Sequence, residues 1–302
     1  MRRHHFIIAI LALILLSWMT FLDVVGNDWF RLEGSWDNLV IFFSESIWPL
    51  DWSVLDASPP CDGAEGFFCS PAYTGIVETL KMAFVATILG FIIALPLSTI
   101  AASNLSPTWI AIPIRIFLSA MRSLPSIIWA IFLLIFIGIG PVAGILAMAL
   151  YTIGYLGKLQ YESIEGIQNA PLEAAIAMGL KRSEVAVHVA IPEAANHLIS
   201  QLMFMFEYNV RHGTVLGIVG AGGIGYHINN QLKFLAYDKA VALLVVVFVV
   251  VVAIDMLSMY IRSFVTEEGD VKRPSWGTIF LPAGMAARHH HKSRKEHQEE
   301  EE

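Results

Sequence analysis

Glu207, Asn209 and Arg211 stand within five residues of one another, and six glycines follow between Gly213 and Gly225. On a helix, a four-residue spacing puts Glu207 and Arg211 on one face, with the acid on the favourable N-terminal side. The surrounding chain is strongly apolar. An ionised side chain at the centre of a membrane helix costs about 2.5–3.5 kcal/mol, so such groups turn toward a partner or a cavity. Two readings fit. Either the pair neutralises itself near the end of a span, or Arg211 offers its planar guanidinium to a passing anion whose oxygens match that fork. Gly220, Gly222 and Gly225 match the form G-x-G-x-x-G. The dinucleotide reading of that form needs a preceding strand in a βαβ unit, and an apolar membrane segment precedes it here. Gly220, Gly222, Gly223 and Gly225 instead predict a tightly folded segment near the outer surface, where backbone packs closely or lines a water-filled path.

A second informative stretch is polar. It runs from Tyr161 through Pro171, Leu172, Glu173, Ala174, Ala175 and Gly179 to Ile191 and Pro192. Pro171 suits the first turn of a helix and Gly179 its left-handed end. Glu173 near the start would complement the helix dipole. The result is a short helix of small side chains that another surface can approach closely, a knob for a partner's groove.

The elements that position both stretches are membrane spans. The chain has 302 residues, is 56% apolar and only 15% charged, and has a mean hydropathy of +0.63. Soluble domains carry about a quarter charged residues. Apolar segments lie at 6–22, 76–101, 110–139, 142–158 and 190–211, and a last one contains the fifteen apolar residues Ala240 to Ile254. The last is valine-rich enough for a strand, but an open strand leaves backbone groups unpaired in lipid, so helix is the consistent reading. About 20 helical residues cross a hydrocarbon core, and the expectation is an all-helical integral membrane protein of about six spans. Residues 24–73 hold eight acidic residues against the single Arg31 and should lie outside. Lys158, Lys181, Arg182 and the basic residues of the tail then fall inside with both termini. The third segment carries Arg115 and Arg122 and should begin at the inner surface before the Leu124-Pro125 step. Glu78 and Lys81 are spaced to pair, and Asp255 to meet Arg262 or a neighbouring helix.

The pattern Glu173-Ala174-Ala175, three residues, Gly179, followed by Ile191-Pro192, resembles the signature loop of binding-protein-dependent ABC importer permeases. Together with Phe206-Glu207-x-Asn209-Val210-Arg211 and Val219-Gly220-Ala221-Gly222-Gly223-Ile224-Gly225, it resembles the phosphonate-uptake permeases in particular. Methionine-type permeases share the glycine-rich part but not Glu207, Asn209 and Arg211 in this form. The resemblance covers roughly residues 74–262. It implies a type I importer architecture in which residues 160–189 form a cytoplasmic coupling loop, with Glu173, Ala174, Ala175, Gly179, Ile191 and Pro192 marking the contact with an ATPase. It further implies a bacterial or archaeal inner membrane, a second copy of the chain, two ATPase subunits that carry the ATP and magnesium, and an external binding protein. The chain itself would be no enzyme and hold no cofactor or metal. No G-x-x-x-x-G-K-[ST] sequence is present, and nucleic acid is not an expected partner. Phosphonate is the implied cargo, with phosphite, hypophosphite or another small anion as alternatives. A secondary transporter would instead show internal repeats with broken helices at matching positions.

The organisation read from the sequence is thus a first span at 1–23, an extracytoplasmic loop at 24–73, a permease domain at 74–262 and a solvated tail at 263–302. Within the loop, Trp36, Trp48 and Trp52 accompany an apolar run at 39–43 that suits either an interfacial helix or simple loop packing. Cys61 and Cys69 either form a disulfide, if the loop faces an oxidising compartment, or remain two free thiols. The tail's His289, His290 and His291 either bind metal or only solubilise it.

Overall fold

In the computed structural model, residues 3–26, 34–58 and 66–265 are described, and these residues form helices joined by short turns and loops, without a strand. Cys61, much of the acidic loop and the tail from 266 onward lie outside them. Helix α1, Arg3–Val25, is followed by a short α2, Ser35–Phe42, which widens into a π-turn at Phe43–Ile47. No residue of α2 is buried, although Phe42 packs edge-on against Tyr237 at 5.0 Å. The segment after it is tied down by an ion pair of 3.4 Å between Asp51 and Lys239. The Ser53 amide, more than Lys239, holds the Asp51 carboxyl below its ordinary range.

The central bundle is made by α3 (Pro71–Ala101), α4 (Thr108–Ser123), α5 (Ser126–Ile137), α6 (Pro141–Glu165), α9 (Ile191–Ile218) and α11 (Tyr237–Val265). Ser70 caps α3 by accepting the Tyr73 amide at 3.1 Å, and Pro71 opens its first turn. The buried face of α3 is a stripe of small residues, Ala72, Gly75, Thr79, Ala83, Ala86, Gly90 and Ala94, at helical spacing. It packs against a matching stripe of α6. A Cβ on Gly144 would come within 2.6 Å of Met82, and one on Gly154 within 2.7 Å of the α4 backbone. Small side chains drive this association because lipid gives apolar side chains no reason to leave it. The bulky residues face outward, among them Ile92, Phe136 and Phe248.

Four helices are long and apolar enough to cross a membrane individually, α1, α3, α6 and α11, and α4 with α5 make a fifth if the pair is one broken span. The pair bends by 84°. Leu124, held extended by the following proline, ends α4, and Pro125 restarts the chain as α5, which is the step expected from Leu124-Pro125. The segment expected at 190–211 is the 28-residue α9. At 1.5 Å per residue it reaches about 42 Å, long enough to cross, but its polar residues make it less apolar than the others. Four to five helices thus meet the length and composition of a span, against the six expected, and α9 meets the length alone.

Between α6 and α9 lies the polar stretch. It forms α7, Asn169–Ala177, and a single turn α8, Arg182–Val185, then a π-turn at Ala186–Ala190 that leads directly into α9. The π-turn has a local cause. Pro192 has no N–H for the His188 carbonyl, and the helix widens where that bond is missing. Between α9 and α11, α10, Gly223–Lys233, folds back against α3 and α9.

Candidate functional site

Helix α7 is held by its own chain on one side and bare on the other. Leu172 and Ala175 sink into a cluster with Ile164 of α6, Val185 of α8, Ala194 and Leu198 of α9, and Leu105 after α3. Glu173, Ala174, Ile176, Met178 and Gly179 are exposed, with Ile176 at 55% and Met178 at 74%. The end of α7 is a complete Schellman arrangement. The Leu180 amide donates to the Ala175 carbonyl at 3.2 Å, the Gly179 amide to Ile176 at 2.9 Å, and Gly179 has φ +89°. The left-handed end expected at Gly179 is therefore present. Glu173 lies in the second turn rather than the first, because the helix begins at Asn169, two residues before Pro171; its dipole term is correspondingly weak. Ala175 is 1% exposed, so it roots the helix instead of facing outward. Ile191 and Pro192 sit at the start of α9, where they set the π-turn rather than extending the exposed knob.

The base of this loop is clamped. Glu165, the last residue of α6, accepts the Ser103 amide at 2.7 Å and its hydroxyl at 2.6 Å, and pairs with Arg115 of α4. Arg115 also donates through Nε to the Ala101 carbonyl at 2.8 Å and lies over the Tyr161 ring at 4.7 Å. Three helices, α3, α4 and α6, and the loop after α3 are thereby joined next to the root of α7.

The three polar residues of α9 point in different directions. Asn209, 1% exposed, donates through Nδ2 to Thr87 of α3 at 2.9 Å and to Thr152 of α6 at 3.0 Å. Arg211 donates to both carboxylate oxygens of Asp255 in α11, at 2.5 and 2.7 Å, and stands 3.8 Å from Glu207. Glu207, 7% exposed, takes its shorter contact from Arg262 at 2.5 Å. The i,i+4 pair read from the sequence is thus the weaker edge of a four-residue network of zero net charge. Asp255 meets Arg211, the neighbouring-helix alternative, and not Arg262.

The glycine-rich segment is a sharp reversal. Gly220, Gly222 and Gly223 have φ of +98°, +86° and +69°, a region closed to most side chains. A Cβ on Gly217 would lie 2.5 Å from the Gly222 carbonyl and from the Tyr226 amide, so the start of α10 rests directly on the backbone of α9. Gly225 meets the Thr214 carbonyl from the other side. The freed amides at the α10 start are taken by α3. Gly223 donates to the Glu78 carboxylate and Ile224 to the Thr79 hydroxyl, each at 2.9 Å. An acid at a helix N-terminus is favourable. Glu78 therefore serves α10, and its expected pairing with Lys81 is replaced by this contact.

A further feature went unread in the sequence. Tyr151 and Tyr155 of α6 and Tyr208 and His212 of α9 form a ladder of near-parallel rings, with Tyr208–His212 at 3.9 Å and Tyr151–Tyr208 at 5.4 Å and 11°. Ser126, at the start of α5, lies 3.2 Å from His212 Nδ1. All four rings are half-buried. The i,i+4 spacings 151/155 and 208/212 carried the signal, but only the pairing of two helices turns them into one row.

In the segment before α3, Cys69 is disulfide-bonded and 5% exposed, while Cys61 lies outside the described residues. Among the described residues no group of histidines, cysteines and acids could hold a metal ion. The tail histidines lie outside that description.

The chain is similar to known proteins in sequence and in fold. The chain is 33% identical over 218 residues to the phosphite transport system permease protein PtxC of Stutzerimonas stutzeri, a match covering 70% of this chain and 79% of that one. It is 35% identical to the phosphate-import permease protein PhnE of Mycolicibacterium smegmatis, over 63% of this chain and 36% of that longer protein. Among solved structures, the MetNI methionine ABC transporter in an inward-facing conformation superposes with a TM-score of 0.59 at 25% identity, over 65% of this chain and 97% of its own. A bacterial ABC transporter for the polysaccharide alginate does so at 0.59 and 15% identity, a likeness of fold. The helical bundle is that of ABC importer membrane subunits. Residues 86–266 match the family described as binding-protein-dependent transport system inner membrane component, and the chain belongs to that family.

Proposed function

We propose that this chain forms the translocation pathway of an ATP-driven importer for a small phosphorus oxyanion, phosphonate, phosphite or phosphate. The observation that carries the reading is α7, a helix rooted by Leu172 and Ala175 and presenting a bare face that includes Ile176 and Met178. Exposed apolar residues at the tip of a clamped loop suit a partner's groove. Two ATPase subunits, holding ATP and magnesium, would each take one such knob from one of two copies of the chain. That places α7, Lys158 and both termini in the cytoplasm and the Cys69 loop outside, facing a binding protein. The cargo class follows from the phosphite and phosphate relatives together with the motif at Glu207, Asn209 and Arg211.

Within the pathway the reading moves the cargo contacts. Arg211 is occupied by Asp255 and Glu207 by Arg262, whereas Tyr151, Tyr155, Tyr208 and His212 present hydroxyls and an imidazole from a half-buried row. Neutral donors suit a pathway, because an anion held by several weak hydrogen bonds can leave again. The glycine reversal at Gly220, Gly222, Gly223 and Gly225 closes the outer end of α9.

The test is a gentle detergent pull-down of the chain from its native membranes, followed by titration of the co-purified binding protein with phosphonates, phosphite and phosphate. Recovery of an ATPase and an oxyanion-binding protein is the expected result. Recovery of neither, under conditions that preserve a control importer, sinks the reading in favour of an ion-driven transporter.

A further inference from the structure

A cleft of about 390 Å³ opens between the last turns of α3, the loop after it, and the segment from α8 to the start of α9. Pro96, Ile100, Val187 and Ile191 supply apolar walls, and Ser106, Arg182 and Ser183 supply the polar part of the lining. Arg182 is barely engaged by the protein. Its guanidinium makes one long hydrogen bond, 3.4 Å to the Leu105 carbonyl, which leaves most of its five N–H donors open. The Ser106 and Ser183 hydroxyls also have no side-chain hydrogen bond among the described residues, whereas Thr99 spends its hydroxyl on the Pro96 carbonyl at 2.8 Å. No carboxylate lines the cleft, and the nearby Glu184 is turned onto the Lys181 amide at 2.7 Å.

The two chemistries come from two depths. Pro96 and Ile100 belong to α3, a helix apolar enough to cross the membrane that ends at Ala101; Ser106 and Arg182 come from segments beyond that end. The cleft therefore straddles the boundary between hydrocarbon and headgroups. A free phosphate would satisfy the donors and leave the apolar walls wet. A lipid satisfies both, with its phosphate on the guanidinium fork and an acyl chain along Ile100 and Ile191. We propose that this cleft binds one anionic phospholipid of the leaflet on the α7 side, through Arg182 with Ser106 and Ser183. Arg182 follows Gly179 by three residues, so the bound headgroup pins the exit of the α7 loop to the end of α3. That consequence for coupling rests on the importer reading; the lipid site itself does not.

The experiment uses the purified full-length chain, equilibrated in mixed micelles of phosphatidylglycerol and phosphatidylcholine, with retained lipids counted by native mass spectrometry. Wild type is expected to retain phosphatidylglycerol in preference to phosphatidylcholine. Arg182→Gln should lower that preference on the order of fivefold, the factor one basic residue contributes at an anionic surface. Lys233→Gln, in α10 and outside the cleft, should leave it intact. If Arg182→Gln fails to fold, Val187→Asp, at an exposed wall position, should repel the headgroup and give the same loss. Equal phosphatidylglycerol retention by wild type and the folded cleft variants would overturn the proposal. So would retention of added inorganic phosphate with no preference between the two lipids. The readout needs no ATPase, so its failure is distinct from failure of the importer reading.

Discussion

Replacing Arg211 by Gln separates a latch between helices from a cargo contact. Glu207, Arg211, Asp255 and Arg262 form a network of two acids and two bases across α9 and α11. Removing Arg211 leaves Asp255 without its two guanidinium bonds and the network with one negative charge in excess. Breaking a fully buried ion pair costs about 3–5 kcal/mol, chiefly through the charge left behind. Arg211 and Asp255 are 45% and 36% exposed, so that figure must be discounted for solvent screening. About 1–2 kcal/mol remains for Arg211→Gln, and a similar loss for Asp255→Asn. The double variant restores neutrality, so its loss should fall short of the sum of the two by about 1 kcal/mol, as expected for residues in one network. The assay is denaturant unfolding of the purified chain in detergent, paired with oxyanion uptake per inserted molecule in reconstituted importer. Uptake by Arg211→Gln should follow the amount of folded protein. Additive stability losses would refute the latch. A tenfold fall in uptake per molecule with unchanged stability would return Arg211 to the role of an anion contact.

Met178→Glu together with Ile176→Glu should abolish ATPase co-purification while leaving unfolding unchanged, since both side chains are exposed; retained ATPase would remove α7 as the docking knob. Gly217→Ala should destabilise by about 1–3 kcal/mol, the range for overpacking, because its Cβ meets the α10 backbone at 2.5 Å; a melting curve identical to wild type would show that α10 can move aside. Tyr208→Phe keeps the ring stack and removes one hydroxyl, so uptake affinity should weaken about five- to tenfold, the worth of one net hydrogen bond, with stability nearly unchanged. Unaltered concentration dependence would exclude Tyr208 from the cargo path. A membrane-impermeant thiol reagent should label Cys69 on intact cells only after reduction and denaturation, and labelling from the cytoplasmic side alone would invert the topology.

The resemblance in sequence led to the right family because its signals are local. Spans announce themselves by fifteen unbroken apolar residues, as at Ala240 to Ile254. Gly179 was legible because only glycine readily takes a φ of +89°, and the chain around it reads as a helix end. The Leu124-Pro125 step was legible for the same reason, since proline restricts its own backbone and its predecessor's. Each of these depends on a few consecutive residues.

Partner choice is not local. Spacing offered Glu207 for Arg211 and Lys81 for Glu78, but the structure gives Arg211 an aspartate 44 residues away and Glu78 an amide 145 residues away. The row of Tyr151, Tyr155, Tyr208 and His212 likewise exists only once α6 and α9 lie side by side. Helix rotation and register decide such contacts. In this bundle they are set by how closely the small-residue stripes of α3 and α6 approach one another and by how α9 packs beside them. The sequence by itself determined which segments cross the membrane and where they must turn; the packing of those segments decided which polar group meets which, because a buried charge takes whatever partner helix rotation brings within reach.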